Sequence, residues 1–253
     1  GSNLKIDGAE GNTVEFWLRK AGFDNSKTEK EVILDIYTPD PPISDGTYGR
    51  LTIELSGASS GPSFFVTYLS GTDGVEHAPI GANITAASVA DDLWHHYAFS
   101  FANTTGSVKV MMYVDGFHNE TITTGSTIQA VTGALVGNIG ALAAAPSNVT
   151  ESPTPAIGWG KLSGSLDEFR FWKTNRSSQQ IGRNWSIPVY GGANTDVANI
   201  DLGIYYKFNE GIVGVHKYDS TILDYSGRIS NGSWTGYIAV SYTHLTLPTK
   251  RIV

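Results

Sequence analysis

The segment Arg50-Leu51-Thr52-Ile53-Glu54-Leu55-Ser56 puts Leu51, Ile53 and Leu55 on one side of an extended chain and Arg50, Thr52, Glu54 and Ser56 on the other. Successive side chains of a strand point to opposite faces, so this alternation describes a ribbon with one apolar and one polar face. Working outward, the same period recurs. Thr13–Lys20 aligns Val14, Phe16 and Leu18; Ser107–Asp115 aligns Val108, Val110, Met112 and Val114; Trp94–Phe101 aligns Tyr97, Phe99 and Phe101. Glu31–Tyr37, Phe64–Leu69, Glu168–Trp172 and Gly203–Phe208 read as further strands. Ribbons of this kind bury their apolar faces against one another as two antiparallel sheets.

The interruptions carry turn chemistry. Val114-Asp115-Gly116-Phe117 ends one strand in Asp-Gly, which suits a two-residue hairpin. Thr38–Gly49 (TPDPPISDGTYG), the stretch from about residue 70 to Gly81, and Pro146–Gly160 read as loops. One helix is expected, over Ser177–Trp185, with Ser177 or Ser178 as its cap and Ile181 and Trp185 on one side. The fold class is therefore all-β: a two-sheet antiparallel β-sandwich of the jelly-roll type with one short helix on the C-terminal side.

Composition narrows the function classes. The 253 residues suffice for one such sandwich with a sizeable core. Lys and Arg number 17 against 24 Asp and Glu, a net charge of −7, so the basic stripe that nucleic-acid binding requires is not expected. An aromatic content of 11% with only 16% charged residues argues against disorder. The absence of cysteine excludes disulfides, thiolate metal sites and cysteine nucleophiles. The weakly apolar stretch Gly133–Pro146 is too short to cross a bilayer and is interrupted by Asn138. Gly1–Gly11 is polar, without the basic-then-apolar pattern of a signal peptide, and reads as the middle of a domain truncated at its start. Ser241–Val253 (SYTHLTLPTKRIV) changes character and resembles a translated sequencing adapter, so residues 238–253 are set aside as a non-native tail.

Thr13–Leu18 (TVEFWL), Leu93–Phe101 (LWHHYAFSF), Val108–Gly116 (VKVMMYVDG) and Gly164–Trp172 (GSLDEFRFW), followed by a short helix, resemble the laminin-G-like, concanavalin A-like jelly-roll family in residues, order and spacing. The resemblance covers about residues 3–187, which defines a laminin-G-like domain over 1–187. Tyr205–Tyr237 is similar to the opening strand and hairpin of the same family, so 188–237 is an extension that either completes the sandwich or starts a second repeat. With the Arg170-Phe171-Trp172 strand before it, this run also resembles large virion structural proteins of marine bacteriophages.

Some members of this fold are glycosidases that carry Glu-x-Asp-x-x-Glu on one strand, with two carboxylates about 5–5.5 Å apart. No Glu here has Asp two residues later, and Glu31 and Asp35, four apart, are too distant along an extended strand. Gly57-Ala-Ser-Ser-Gly61 matches a nucleophile elbow as text, but Pro62 and a strand follow where a helix is needed, so a hairpin loop is expected. His95 and His96 are neighbours on a strand and point to opposite faces, so they cannot share a metal; one is expected to hydrogen-bond at the sheet and the other to face solvent. The family resemblance implies calcium at a loop edge, where Asp167, Glu210, Asp219 and Asp224 would meet if the C-terminal segment pairs beside the late strand; turn-capping carboxylates are the alternative.

Sugars stack their C–H faces on aromatic rings while polar groups take their hydroxyls, so loop aromatics are candidate ligand-binding residues: Trp159 first, then Tyr48 and Phe23. Trp17, Trp94, Trp172 and Trp185 read as core or helix-packing residues. The expected function is non-catalytic recognition of a glycan or surface polysaccharide by a module of a larger extracellular, cell-surface or virion protein, with avidity from repetition. Two alternatives stand beside it: a purely structural decoration module that binds other virion or cell-surface proteins, and a divergent polysaccharide hydrolase.

Overall fold

The computed structural model describes residues 3–23, 31–39, 44–81, 83–142, 160–189, 200–210 and 220–234. In chain order the strands are β1 (Asn12–Arg19), β2 (Glu31–Tyr37), β3 (Gly49–Leu55), β4 (Phe64–Ser70), β5 (Asp73–Ile80), β6 (Trp94–Thr104), β7 (Ser107–Val114), β8 (Phe117–Thr124), β9 (Val136–Ile139), β10 (Ser165–Trp172), β11 (Leu202–Tyr206), β12 (Thr221–Ile222) and β13 (Gly232–Ser233). The helices are α1 (Ala86–Val89) and α2 (Ser178–Asn184). Six strands form one large sheet in the order β11-β10-β1-β6-β7-β8, five form the other in the order β5-β4-β3-β2-β9, and β12 and β13 pair separately as a two-stranded ribbon. Every pairing within these two sheets is antiparallel. This is the two-sheet sandwich that the alternation implies.

The alternation in β1, β3, β6 and β7 faces the core as expected: Val14, Phe16, Leu51, Ile53, Leu55, Phe99, Phe101, Val108, Val110 and Met112 all lie in one buried cluster. Its centre is aromatic. Phe64 of the five-stranded sheet meets Tyr97 and Phe99 of the six-stranded sheet at 4.9 and 5.2 Å between ring centroids, and Phe16 stacks on Phe99 at 6.2 Å. At the β7–β8 turn Asp115 and Gly116 have φ of +50° and +80°, the pair of left-handed residues that a tight hairpin needs. A Cβ at Gly116 would stand 2.3 Å from the Trp185 ring, so the same glycine lets that indole close over the turn.

The structure adds elements that the alternation does not reveal. The stretch before Gly81, expected as a loop, contains β5. Gly74 and Pro79 hide it, and its position at the sheet edge is what tolerates a proline. A second helix, α1, accompanies the expected one and is closed by a Thr85–Ser88 capping box. For α2 the cap is Ser177, paired reciprocally with Gln180. The strand expected over Gly203–Phe208 is present as Leu202–Tyr206, the sixth strand of its sheet, pairing with β10.

The outer face of the six-stranded sheet is not simply wet. Ile181 of α2 packs on Ala98 and Tyr113, and the Ser178 hydroxyl lies 2.9 Å from that of Tyr113. Beneath this cover, side chains from four strands line up in register as Tyr113, Ala98, Glu15 and Arg170. Glu15 is therefore wholly buried although its strand alternates.

Candidate functional site

Two further rows of the same outer face run from that buried row to the rim of the sandwich. His96, Trp17 and Asp167 are register partners across β6, β1 and β10, and Trp94, Arg19 and Ser165 are the next such set. Antiparallel partners share a face. Beyond the last row lies an open cleft of about 200 Å³, lined by Arg19, Asp92 and residues 21–22 and 163–165.

The cleft walls are fixed by ion pairs. Arg19 clasps Asp92 with Nε at 2.9 Å from Oδ1 and an Nη at 3.0 Å from Oδ2, and Nε also reaches the Asp92 carbonyl at 2.9 Å. Asp92 holds φ of +64°, while its amide donates to the Lys20 carbonyl at 2.9 Å. Asp91 caps the same turn through the Leu93 amide at 2.9 Å. On the inner side the Lys20 ammonium donates to both oxygens of Glu31 at 2.7 and 2.8 Å and to the Ser163 carbonyl at 2.8 Å. The Ser163 amide returns to Glu31 at 3.0 Å, which ties the wall before β10 to the end of β1. Phe23 covers this pair, its ring centroid 4.3 Å from the Lys20 nitrogen.

Chemically, the cleft offers a guanidinium, a carboxylate, serine hydroxyls and peptide groups at one place. Its two charges cancel, and both are partly open to water. A neutral polyhydroxylated ligand can use such alternating donors and acceptors without leaving a buried charge unpaired.

Asp167 stands one row in from the cleft. A bulge in β10 puts it there: between the pairs Glu15–Arg170 and Trp17–Asp167, the single residue Phe16 of β1 faces two of β10, Phe169 and Glu168, and Glu168 takes φ of +50°. Burial, with the neighbouring Glu168 charge, raises the Asp167 carboxyl to about 6, against the Glu168 amide, Arg170 and Lys207, which lower it. The folded-state value lies above the ordinary 3.8, so the stabilising contribution is complete below about pH 4 and is lost as pH rises through about 6. A displacement of that size in a dry interior corresponds to about 3 kcal/mol, and to on the order of 1 kcal/mol for a half-buried group. Asp167→Asn is thus expected to leave stability unchanged at pH 4 and to raise it by on the order of 1 kcal/mol at pH 7.5. Urea melts at the two pH values check this; an equal effect at both would contradict it.

The two histidines part as the alternation requires. His95 sits at the sheet end between Asp115, 2.8 Å from Nδ1, and Asp91, 3.1 Å from Nε2. Burial disfavours its charge, but these carboxylates outweigh it and raise the pKa. His96 does not face solvent: it is fully buried, 3.4 Å from Glu15, because Trp17 and Trp185 lie over it.

Of the aromatics singled out in the sequence, Phe23 lies half-buried beside the cleft. Tyr48 is only 6% exposed and so offers no open ring face; the chain from Asp45 to Gly49 folds it inward next to Arg50. Trp159 lies outside the described residues, as does Asp219. The remaining acidic candidates are not brought together. Asp167 is on the outer face described above, and Glu210 accepts the Leu223 amide at 3.0 Å. Asp224 accepts the amides of Tyr205, Ser226 and Ser230, the bonding of a turn-capping carboxylate. Among the described residues no group of three or more acidic or histidine side chains is arranged to hold a metal ion. The GASSG segment is a hairpin loop between β3 and β4.

Residues 2–182 match the laminin G model of the concanavalin A-like lectin/glucanases superfamily. The chain belongs to this superfamily. No curated protein matches the sequence. Among solved structures, this concanavalin A-like chain is similar to a candidate carbohydrate-binding protein from Bacteroides ovatus, with 20% identity, a TM-score of 0.47 and coverage of 88% of this chain and 51% of the other. The chain thus spans about half the length of that protein. It is similar to domains LG4-5 of the mouse laminin α1 chain (15% identity, TM-score 0.43, 70% and 40% coverage). It is also similar to the CBM40 of the Ruminococcus gnavus IT-sialidase, solved with α2,3-sialyllactose (10% identity, TM-score 0.40, 74% and 100% coverage).

The sequence alone does not expose Arg19 and Asp92 as a pair, because 73 residues separate them. The signal available was the phase of β1: Trp17 and Arg19 share the face opposite Val14, Phe16 and Leu18, and a large aromatic followed two residues on by a cation is unusual on a face that should only meet water.

Proposed function

We propose that the chain is a non-catalytic carbohydrate-recognition module, one part of a larger extracellular or cell-surface protein, and that it holds a neutral sugar in the rim cleft between Arg19 and Asp92. The observation that carries this reading is the charge-balanced, two-point clasp of Arg19 and Asp92 at the mouth of a cleft whose walls are already fixed by the Lys20–Glu31 pair. Such preorganisation lowers the entropy lost on binding. Membership of a superfamily of lectins and glucanases supports a carbohydrate ligand.

The non-catalytic reading is supported by the state of the carboxylates on this face. Glu15 is held at about 2 and Asp167 at about 6, a split that acid–base catalysis would use, yet Glu15 is fully buried beneath α2 and out of reach of a substrate. No described helix is long and apolar enough to span a membrane.

A printed array of neutral and acidic glycans, probed with the whole chain and with Asp92→Ala and Arg19→Ala, tests the proposal. Neutral saccharides are expected to bind weakly, and each variant to lose at least about tenfold in affinity, the consequence of removing hydrogen-bonding groups that a sugar's hydroxyls would meet. Unchanged binding by both variants would move the site elsewhere, and retention of acidic glycans alone would contradict the neutral-sugar reading.

A further inference from the structure

We infer that Trp17 and Asp167 form a second sugar subsite one step inward from the rim cleft, so that the site takes a chain of two or more neutral sugar units rather than a single one. This rests on the reading of the rim cleft given above. Trp17 and Arg19 are two residues apart on β1 and face the same way, which separates them by about 7 Å along the strand. Asp167 and Ser165 repeat that step on β10, directly across. The two rows therefore present a cleft with hydrogen-bonding groups and, next to it, a ring with a carboxylate at its side.

The ring is held in place before any ligand arrives. His96 and Trp17 meet edge to face at 5.7 Å and 68°, and Trp185 leans on Trp17 at 5.4 Å and 33°. Trp17 nevertheless remains partly exposed, as does Asp167. A packed indole that keeps part of its surface open costs little conformational entropy when a sugar's C–H face stacks on it. Asp167 accepts the Glu168 amide at 2.8 Å and is aimed onto this face by the bulge. The charged groups beyond it are engaged with one another: Glu168 pairs with Arg170 at 2.8 Å and with the Tyr205 hydroxyl. Asp167 is thus the acceptor at the ring's edge, where a stacked sugar carries its hydroxyls. Because burial raises its pKa to about 6, the same carboxyl changes from donor to acceptor as pH rises through that value.

Calorimetric titration of the whole chain with the mono-, di- and trisaccharides of glucose, of galactose and of mannose tests this. In the series that binds, the disaccharide is expected to bind at least about tenfold more tightly than the monosaccharide. Trp17→Phe and Asp167→Asn are each expected to cut that gain severalfold while leaving monosaccharide binding as it was. Asp167→Asn keeps the acceptor for the Glu168 amide and so the fold. Equal affinity for one unit and three, or an undiminished gain in both variants, overturns the second subsite and leaves the rim cleft standing. No binding in any series overturns the rim reading and the subsite together.

Discussion

Glu15→Gln is expected to lower the stability of the domain by about 3–5 kcal/mol at neutral pH. Glu15 lies 2.7 Å from Arg176, 3.4 Å from His96 and 3.8 Å from Arg170, all of them buried. Removing this anion leaves the buried Arg176 guanidinium without its carboxylate and deprives Arg170 of one of its two, the other being Glu168 at 2.8 Å. Burial alone would raise the Glu15 carboxyl, but the His96 contact and the charges of Arg176 and Arg170 reverse this and hold it at about 2. The folded-state value is below the ordinary 4.5, so this contribution is present above about pH 4.5 and is lost as pH falls through about 2. Its size is on the order of 3 kcal/mol. The variant should therefore show a shallower loss of stability across that acid range than the parent. Urea unfolding at pH 7 and pH 3 measures both effects. An unchanged midpoint at pH 7 would mean that the cluster is hydrated in solution and α2 does not seal it. Replacing Glu15 and Arg176 together by methionine should cost less than Glu15→Gln alone, because an apolar pair leaves less charge stranded.

Phe64→Ala is expected to cost about 3–5 kcal/mol, and for a different reason. Phe64 is fully buried where the sheets face each other, against Tyr97 and Phe99. Truncation removes apolar surface and leaves a cavity that two antiparallel sheets, held by their own hydrogen bonds, cannot close. A double-mutant cycle of Phe64→Leu with Phe99→Leu should return a coupling of about 0.5–1.5 kcal/mol, the worth of an aromatic pair beyond its area. Additive effects would contradict direct contact between the sheets at this point.

These two residues also mark where the sequence was legible. Phe64 and Phe99 fall on clean two-residue alternations, and local period is enough to place such side chains in a core. Glu15 does not. The same alternation puts it on the polar side of β1, and only the return of α2 over that face buries it. Edge strands were harder to read than central ones. β5 carries Gly74 and Pro79, and β8 is largely polar, because an edge needs neither a full ladder nor two apolar faces. The candidate site was legible only in part. Phe23 stood out as a loop aromatic and lies beside the cleft, and Asp167 stood out as a carboxylate and lies on the adjoining face. Of their neighbours, Arg19 carries only the phase of β1, and Asp92 carries no local pattern. Trp17 and Trp185 read as packing residues and do pack, on each other, but the contact leaves Trp17 partly open on the outer face instead of sinking it into the core.

Amide chemical-shift mapping tests most directly where this chain meets a sugar. The isotopically labelled protein is titrated with the neutral oligosaccharide that it retains best on the array. The expected perturbations cluster at Gly22, Asp92, Gly164 and Ser165, with the Trp17 indole shifting once the saccharide has two or more units. Perturbations confined to Arg50, Thr52 and Thr67 on the five-stranded sheet would contradict the account.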